Sequence, residues 1–274
     1  MSETYVHGYD DRAKTRLKDQ ADALVDLLHS DTSYPAGSRV LEAGCGVGAQ
    51  TVTLAARSPG ARFTSVDISE DSLAEAKRRI DDAGLTNVQF QRGDVFALPF
   101  GPESFDHLFV CFLLEHLARP VDALVALQQL IKPGGSVTVI EGDHGSTYFH
   151  PDSVAAQRAV QCQVDLQRAA GGDANIGRRV YPLMVEAGID AVVVSPRMVY
   201  VDSSRPHLVD AFTLKTFTAM IEGVRDRALA AGLANEAGFD AGIRDLRRTA
   251  EDDGVFCYTF FKGVGRKHLR EEPP

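Results

Sequence analysis

The residues with the clearest chemical potential lie in the stretch VLEAGCGVGAQT, residues 40–51, where Gly44, Gly46 and Gly48 fall within five positions. Bare backbone lets a ligand approach closely, and a helix that begins here would add the partial positive charge of its N-terminus. Asp67 follows about 20 residues later, at the spacing where an acid bonds the hydroxyls of a ribose. Glycines alone would indicate only a tight turn, whereas glycines together with this acid predict a nucleotide-type site.

Two classes of cofactor fit these residues. The string G-C-G-V-G-A satisfies the dinucleotide pattern G-x-G-x-x-A, so an NAD-dependent oxidoreductase is one interpretation. Glu42, however, lies two residues before the first glycine, where it would repel a pyrophosphate and attract an ammonium group. Asp94, in RGDVFALPF, ends a predicted strand where it could accept a hydrogen bond from an adenine amino group. Both acids favour the second class, a nucleoside that carries an ammonium group.

Alternating strands and helices are predicted to position these residues. An opening helix over about 9–30 precedes strands in RVLEAG, RFTSVDIS, NVQFQRGD, FDHLFVCFLL and SVTVIEGD, and helices are expected over 47–57, 69–83 and 120–131. Such alternation implies a parallel sheet whose ligands lie beyond the carboxyl ends of the strands. Further helices are predicted over 152–170, 177–187, 206–231 and 236–252, with an extended piece at 190–201. The final segment GVFCYTFFKGVG is expected to be an antiparallel strand, because no helix precedes it to carry a parallel crossover.

Composition narrows the classes of partner. The formal net charge of −9 argues against a protein that binds the nucleic-acid backbone. The four cysteines form no CxxC pair, so neither a metal site nor a disulfide framework is indicated. The N-terminus lacks the apolar core of a signal peptide, and no apolar run reaches the ~18 residues of a membrane span. A cytoplasmic location and no membrane partner are expected.

The order of the motifs resembles that of the class I S-adenosylmethionine-dependent methyltransferases, of the type that acts on small molecules. VLEAGCGVGAQT is similar to the first motif of that family and SVDIS to its ribose-binding strand end, while GDVFALPF, SFDHLFVCFLLEHL and IKPGGSVTVIE are similar to its later motifs. The resemblance covers about residues 36–145 closely and the last strand loosely. It implies a doubly wound α/β fold with a seven-stranded, mostly parallel sheet and an antiparallel last strand. It also implies S-adenosyl-L-methionine as cofactor and S-adenosyl-L-homocysteine as product.

The resemblance assigns roles to residues along the strand ends. It implies that Asp67 binds the ribose, that Asp94 meets the adenine amino group, and that Gln50 either reaches the methionine carboxylate or is a solvated helix residue. The remaining residues expected at the cofactor, together with Glu42, are Gly44, Cys45 and Gly46 along the methionine part, Ile68 and Val95 on the adenine faces, and the backbone of Cys111 at the methionine end.

Ionisable side chains cluster where the fourth and fifth predicted strands end, and we expect these residues to converge near the transferable methyl group. The candidate catalytic residues are His144, His116, Glu141 and Glu115. One histidine is expected to orient or deprotonate the acceptor while a neighbouring carboxylate holds its ring, and His144 is favoured because Gly145 leaves backbone room. The candidate substrate-binding residues are Tyr5, His7, Tyr9, Asp143 and Tyr148.

The predicted organisation is an N-terminal helical lid over 1–35, a methyltransferase domain over 36–265 and a tail over 266–274. Helical insertions at about 145–188 and 203–252 would form a cap or a homodimer face. The expected function is methyl transfer to an oxygen or nitrogen of a small-molecule acceptor by in-line displacement. An NAD-dependent oxidoreductase and a non-catalytic module that senses S-adenosylmethionine are the alternatives.

Overall fold

The computed structural model describes residues 24–269. Within this range, residues 24–29 are helical and form the end of the predicted opening helix. The rest of that helix, and the candidate residues Tyr5, His7 and Tyr9, lie outside the described residues. No helix in residues 24–269 is both long enough and apolar enough to cross a membrane.

Seven strands form the sheet, in the spatial order β3-β2-β1-β4-β5-β7-β6. Their bounds are β1 Arg39–Ala43, β2 Arg62–Asp67, β3 Val88–Arg92, β4 Phe105–Cys111, β5 Ile131–His150, β6 Ile189–Asp202 and β7 Val255–Lys267. Strands β1 to β5 pair in parallel, with Glu42 opposite Ser65 of β2 and Phe109 of β4. The last strand, β7, runs antiparallel to β5. Going forward along β5 from Ser146 to Phe149, the contacts move backward along β7, from the Thr259 N–H that donates to Ser146 to the ring of Phe256 that stacks on Phe149. The predicted fold class is confirmed.

Helices connect the parallel strands where the sequence predicts them. Their bounds are α1 Ala49–Arg57, α2 Glu70–Asp82, α3 Pro120–Gln129, α4 Val154–Ala169, α5 Val180–Glu186, α6 Arg225–Ala230 and α7 Glu236–Arg248. Local capping explains several starts: the Ser69 hydroxyl accepts from Ser72 N at α2, and Pro120 occupies the first turn of α3. Short 3₁₀ helices cover Leu114–His116 and Ile176–Arg179.

Two expected elements differ from the structure. Residues 145–150, expected within a helical insertion, continue β5, because this stretch is rich in strand-forming Thr147, Tyr148 and Phe149 and pairs with β7. The single helix expected over 206–231 is instead a helical turn at Pro206–Leu208, a π-helix at Val209–Thr218, a short α-helix at Ala219–Glu222 and then α6. Gly223 ends the third of these segments, as a residue of low helix propensity does.

The chain divides into two compact units. The sheet unit comprises Leu28–Glu141, Ile176–Pro196 and the chain from Phe261 onward; the helical unit comprises the described residues up to Leu27, Gly142–Asn175 and Arg197–Phe260. In the sheet unit, apolar side chains of the central strands pack against α3 and α5. In the helical unit, aromatic rings fill the interior, and Phe212 lies 6.0 to 6.1 Å between ring centroids from Phe256, Tyr258 and Phe260. Phe217 lies 4.8 Å from Phe256 and 5.6 Å from Tyr258.

Candidate active site

The glycine loop between β1 and α1 is built from backbone that other residues adopt only under strain. Gly44, Gly46 and Gly48 have φ values of 74°, 51° and 76°. A Cβ on Gly48 would lie 2.8 Å from the Cβ of Ala76, so the missing side chain lets the start of α1 pack against α2. A Cβ on Gly46 would meet no atom within 4 Å, which leaves open space beside that backbone. The loop is closely packed at Gly48 and accessible at Gly46.

Asp67 ties the end of β2 to this loop. Its Oδ2 accepts from Gly46 N at 2.8 Å, and its Oδ1 accepts from Ser69 N at 2.9 Å. Both oxygens keep further lone pairs, so the carboxylate is held in position and can still accept hydroxyl donors. Ile68 follows with 43% of its surface exposed.

The chain after β3 contributes the next group of predicted residues. Asp94 is exposed two residues beyond the strand, where its Oδ1 accepts from Phe96 N at 3.0 Å, and Val95 is buried. Asp94 therefore lies in a turn and not at the strand end where it was expected. The turn still belongs to the carboxyl edge of the sheet, the edge that carries Asp67.

Glu42 lies beneath the loop and is only 2% exposed. Burial is the main cause that raises the pKa of this carboxyl to about 7; the charge of Asp67 also favours the rise, while the hydroxyls of Ser65 and Thr51 oppose it. The Ser65 hydroxyl donates to Glu42 Oε2 at 2.6 Å. Near neutral pH, the charge of Glu42 therefore responds to whatever binds next to it.

Glu141 and the turn after β4 form a second group of acids. Glu141 is fully buried, and its Oε1 accepts from Leu113 N at 3.1 Å and Leu114 N at 2.7 Å, at the start of the 3₁₀ helix Leu114–His116. That helix carries Glu115 and His116, whose Oε1 and Nε2 atoms lie 3.5 Å apart. Burial raises the pKa of Glu141 well above its usual range, and the charge of Glu115 adds to the effect.

The buried thiol of Cys111 is close enough to three glutamates for their charges to affect its pKa. Burial raises the pKa of its thiol well above the usual value, and Glu141, Glu42 and Glu115 each add to the shift. We call these three glutamates the acidic cluster. Its members come from β1, β5 and the turn after β4, so the fold brings three carboxyl groups together at one end of adjacent strands. Within residues 24–269, no group of histidines, cysteines and acids has the arrangement of a metal site.

The remaining strand-five candidates belong to the helical unit. His144 is buried, and its Nδ1 lies 3.1 Å from both Ala174 O and Tyr258 Oη. Asp143 is also buried, whereas Tyr148 is 56% exposed and its hydroxyl contacts Met198 Sδ at 3.2 Å. These residues were expected in a loop that leaves strand five, but they lie within β5. The structure brings Glu115, His116 and Glu141 together, and the convergence of Asp143 and His144 with them stays a prediction.

Two buried residues were missed at the sequence level. His29 Nε2 lies 2.6 Å from Gln50 Oε1, and Lys262 donates to Leu28 O, Asp31 Oδ1 and Thr32 Oγ1. A lysine within the aromatic strand FCYTFFKGVG was the available signal for a buried charge. His29 had no comparable signal, because it lies in the last turn of an ordinary amphipathic helix.

Comparison with known proteins identifies this part of the chain. Residues 40–135 match a family described as "Methyltransferase domain". The chain is 34% identical to the demethylmenaquinone methyltransferase of Clavibacter sepedonicus over 132 residues, which cover 48% of this chain and 52% of that protein. The chain thus spans about half the length of this curated relative.

Residues 40–135 are therefore similar to a methyltransferase domain.

Solved structures agree on the fold of this domain. The [4+2]-cyclase SpnF has a TM-score of 0.55 at 21% identity, covering 98% of this chain and 86% of that one. The phosphoethanolamine N-methyltransferase 2 of Haemonchus contortus, solved with phosphomonomethylethanolamine and S-adenosylhomocysteine, has a TM-score of 0.55 at 18% identity, covering 92% of this chain and 53% of that one. At these identities the likeness concerns the fold alone.

Proposed function

We propose that the protein transfers a methyl group from S-adenosyl-L-methionine to an oxygen or nitrogen of a small-molecule acceptor. The observation that carries the proposal is the open glycine loop at Gly46 with the buried carboxyl of Glu42 beneath it and Asp67 at its side. A nucleoside with an amino-acid group needs these three features together: accessible backbone, an acceptor for ribose hydroxyls, and negative charge for an ammonium group. A pyrophosphate would instead bring its own negative charge next to the carboxyl of Glu42.

Under this proposal the cofactor residues keep the roles expected from the motifs. Asp67 accepts from the ribose, Ile68 and Val95 pack on the adenine, and Asp94 accepts from its amino group. Gly44, Cys45 and Gly46, with the backbone of Cys111, line the methionine part. Support for the cofactor comes from the match of residues 40–135 to the methyltransferase domain, and from the Haemonchus contortus protein of similar fold, which binds S-adenosylhomocysteine.

The cofactor supplies an electrophilic methyl group on a sulfonium, and the protein must hold a nucleophile in line with it. Positioning of this kind can supply up to ~7–11 kcal/mol of the reduction in barrier. Glu141 contributes by fixing the backbone of Leu113 and Leu114, which sets the turn that carries Glu115 and His116.

An acceptor that must lose a proton needs a base, and we assign this role to His116 before His144. His116 lies beside the Glu115 carboxylate, in the same unit as the glycine loop, and it is half-buried, so it is accessible to an acceptor. His144 is buried among Phe217 and Tyr258, with Nδ1 directed at the Ala174 carbonyl. We therefore prefer His116 as the base because it is more accessible, although Gly145 had favoured His144. A carboxylate or neutral amine as acceptor would need neither histidine.

A second candidate function is a reaction or a sensing role on the same fold without methyl transfer. The observation that favours it is the likeness to SpnF, a [4+2]-cyclase whose fold covers 98% of this chain. An NAD-dependent oxidoreductase is the third candidate, and it is disfavoured by the acidic cluster.

Ligand binding and methyl release separate the three candidates. S-adenosylhomocysteine is expected to raise the melting temperature and NAD to leave it unchanged, because a ligand that binds only the folded state stabilises it. The opposite result would replace the proposed cofactor. Release of labelled methyl to a panel of phenols, alcohols, amines and carboxylates is expected for a methyltransferase. Binding of the cofactor with no transfer to any member of the panel would favour the second candidate.

A further inference from the structure

The side chain of Gln50 is fixed by a histidine buried behind it. Gln50 is the second residue of α1, directly after the glycine loop, and it is half-buried. Its Oε1 lies 2.6 Å from Nε2 of His29, which is fully buried and packs its ring on Phe109 at 5.8 Å between centroids. The contact joins the end of the N-terminal helix to the first turn of α1 within the sheet unit.

His29 is neutral at physiological pH. Burial is the main cause that lowers the pKa of its imidazole to about 4; the positive charges of Lys262 and Arg57 act in the same direction, and the Gln50 hydrogen bond and Asp31 oppose them. A neutral imidazole carries one N–H, which lies on either Nδ1 or Nε2. The identity of that nitrogen decides which way the Gln50 amide must face.

The proton belongs on Nε2. Among the described residues, Nδ1 of His29 is buried without a hydrogen-bond partner. A proton on Nδ1 would therefore be a buried N–H with no acceptor, which is rarer in proteins than an acceptor without a donor. With the proton on Nε2, His29 donates to Gln50 Oε1, and an amide turned by 180° would place its NH₂ group against this N–H. The Gln50 carbonyl thus faces His29, and its NH₂ group points away from it.

We propose that His29 is a positioning residue that holds the Gln50 NH₂ group toward the glycine loop, where it selects the carboxylate of the cofactor's amino-acid group. This inference rests on the proposed function and deepens it. The two amide N–H donors would bind a carboxylate, whereas the amide carbonyl would repel it. The partial positive charge at the start of α1 acts in the same direction.

A pair of ligands tests this role directly. S-adenosylhomocysteine carries the carboxylate, whereas 5′-methylthioadenosine has the same adenine, ribose and thioether without the amino-acid group. His29→Phe keeps a ring of similar size and removes the N–H. We expect this variant to bind S-adenosylhomocysteine about tenfold more weakly and 5′-methylthioadenosine with unchanged affinity, as measured by calorimetry. Retained binding of 5′-methylthioadenosine also shows that the variant is folded.

Two further variants complete the test. Gln50→Glu places a carboxylate where the NH₂ group is proposed to be. It should therefore weaken the binding of S-adenosylhomocysteine, but not of 5′-methylthioadenosine, and by more than His29→Phe does. In the double variant His29→Phe with Gln50→Ala, the loss should equal that of Gln50→Ala alone, because His29 acts through Gln50. If His29→Phe does not fold, the ligand selectivity of Gln50→Glu decides whether the NH₂ group faces a carboxylate.

An equal loss of affinity for both ligands in His29→Phe would overturn the positioning role while leaving the proposed function intact. Additive losses of affinity in the double variant would do the same. Equal loss of both ligands in Gln50→Glu would likewise count against it. If wild-type protein binds neither ligand, the proposed function and this inference fail together. If wild-type protein binds both ligands with equal affinity, the selection of the carboxylate is contradicted but the proposed function is not.

Discussion

The charge of Glu42 is expected to make cofactor binding depend on pH near neutrality. Burial raises the pKa of this carboxyl to about 7 in the folded protein. Protonation at lower pH removes the negative charge that attracts the ammonium group of the cofactor, so affinity should rise with pH through about 7 and level off above it. If only the ionised form binds, the apparent Kd is about twofold above its limit at pH 7 and about tenfold above it at pH 6.

Calorimetry with S-adenosylhomocysteine between pH 6 and pH 8.5 measures this dependence, and buffers of different ionisation heat reveal about half a proton released at pH 7. Glu42→Gln is the matched variant, because it keeps the shape and removes the titration. We expect it to bind weakly and with a flatter pH profile. Ser65→Ala removes a hydrogen bond that favours the ionised form, so it should move the transition to higher pH. The reasoning is refuted if wild-type Kd is the same at pH 6 and pH 8, or if Glu42→Gln keeps the wild-type slope.

The stability of the ligand-free protein should change with pH in the opposite direction. Since the pKa of Glu42 is higher in the folded state than its ordinary value of 4.5, the stabilising contribution is complete below about pH 4.5 and is lost as pH rises through about 7. The difference, 7 − 4.5 = 2.5, corresponds to about 3 kcal/mol at ~1.4 kcal/mol for each pH unit. Urea unfolding of wild-type protein and of Glu42→Gln at pH 5 and pH 8 compares the two slopes.

Three further substitutions test separate parts of the site. Asp67→Asn keeps an acceptor for Gly46 N but removes a charge-assisted bond to the ribose, so Kd for S-adenosylhomocysteine should rise roughly tenfold or more, and an unchanged Kd would mean that the ribose lies elsewhere. Gly48→Ala should lower the free energy of unfolding by more than Gly46→Ala, because both have positive φ but only Gly48 faces close neighbours; equal losses in urea unfolding would contradict the packing role. Glu141→Gln should keep turnover near normal, whereas Glu141→Ala should reduce it by removing the acceptor of two backbone N–H groups; a large loss in Glu141→Gln would show that its ionised form is needed.

Local signals were sufficient to predict the sheet and its helices. Apolar runs such as FDHLFVCFLL identify strands that are buried on both faces, and the Ser69 cap and Pro120 mark helix starts within one turn. The glycine spacing predicted the loop, because positive φ at Gly44, Gly46 and Gly48 is a property of a few consecutive residues. Such features depend on residues that are neighbours in the sequence, so they can be predicted from it.

The features that sequence reasoning missed depend on partners far along the chain. Residues 145–150 extend β5 because they pair with β7 more than a hundred residues later, at Ser146 and Thr259. Lys262 is buried because Leu28, Asp31 and Thr32 supply its acceptors. No window of sequence contains both members of these pairs. The same holds for Glu141, whose acid was recognised at a strand end while its backbone partners at Leu113 and Leu114 become evident only in the fold.

The two buried acids with raised pKa values suit different demands of the proposed reaction. Positive charge leaves the sulfur as the methyl group moves, so an ionised carboxylate beside the sulfur would stabilise the reactants more than the transition state. Burial and the charge of Glu115 keep the pKa of Glu141 well above its usual range, so Glu141 can position the turn after β4 as a neutral acid. The charge of the ammonium group, by contrast, does not change during transfer. An ionised Glu42 beside it binds reactants and transition state equally, and therefore contributes to cofactor affinity without opposing the chemical step.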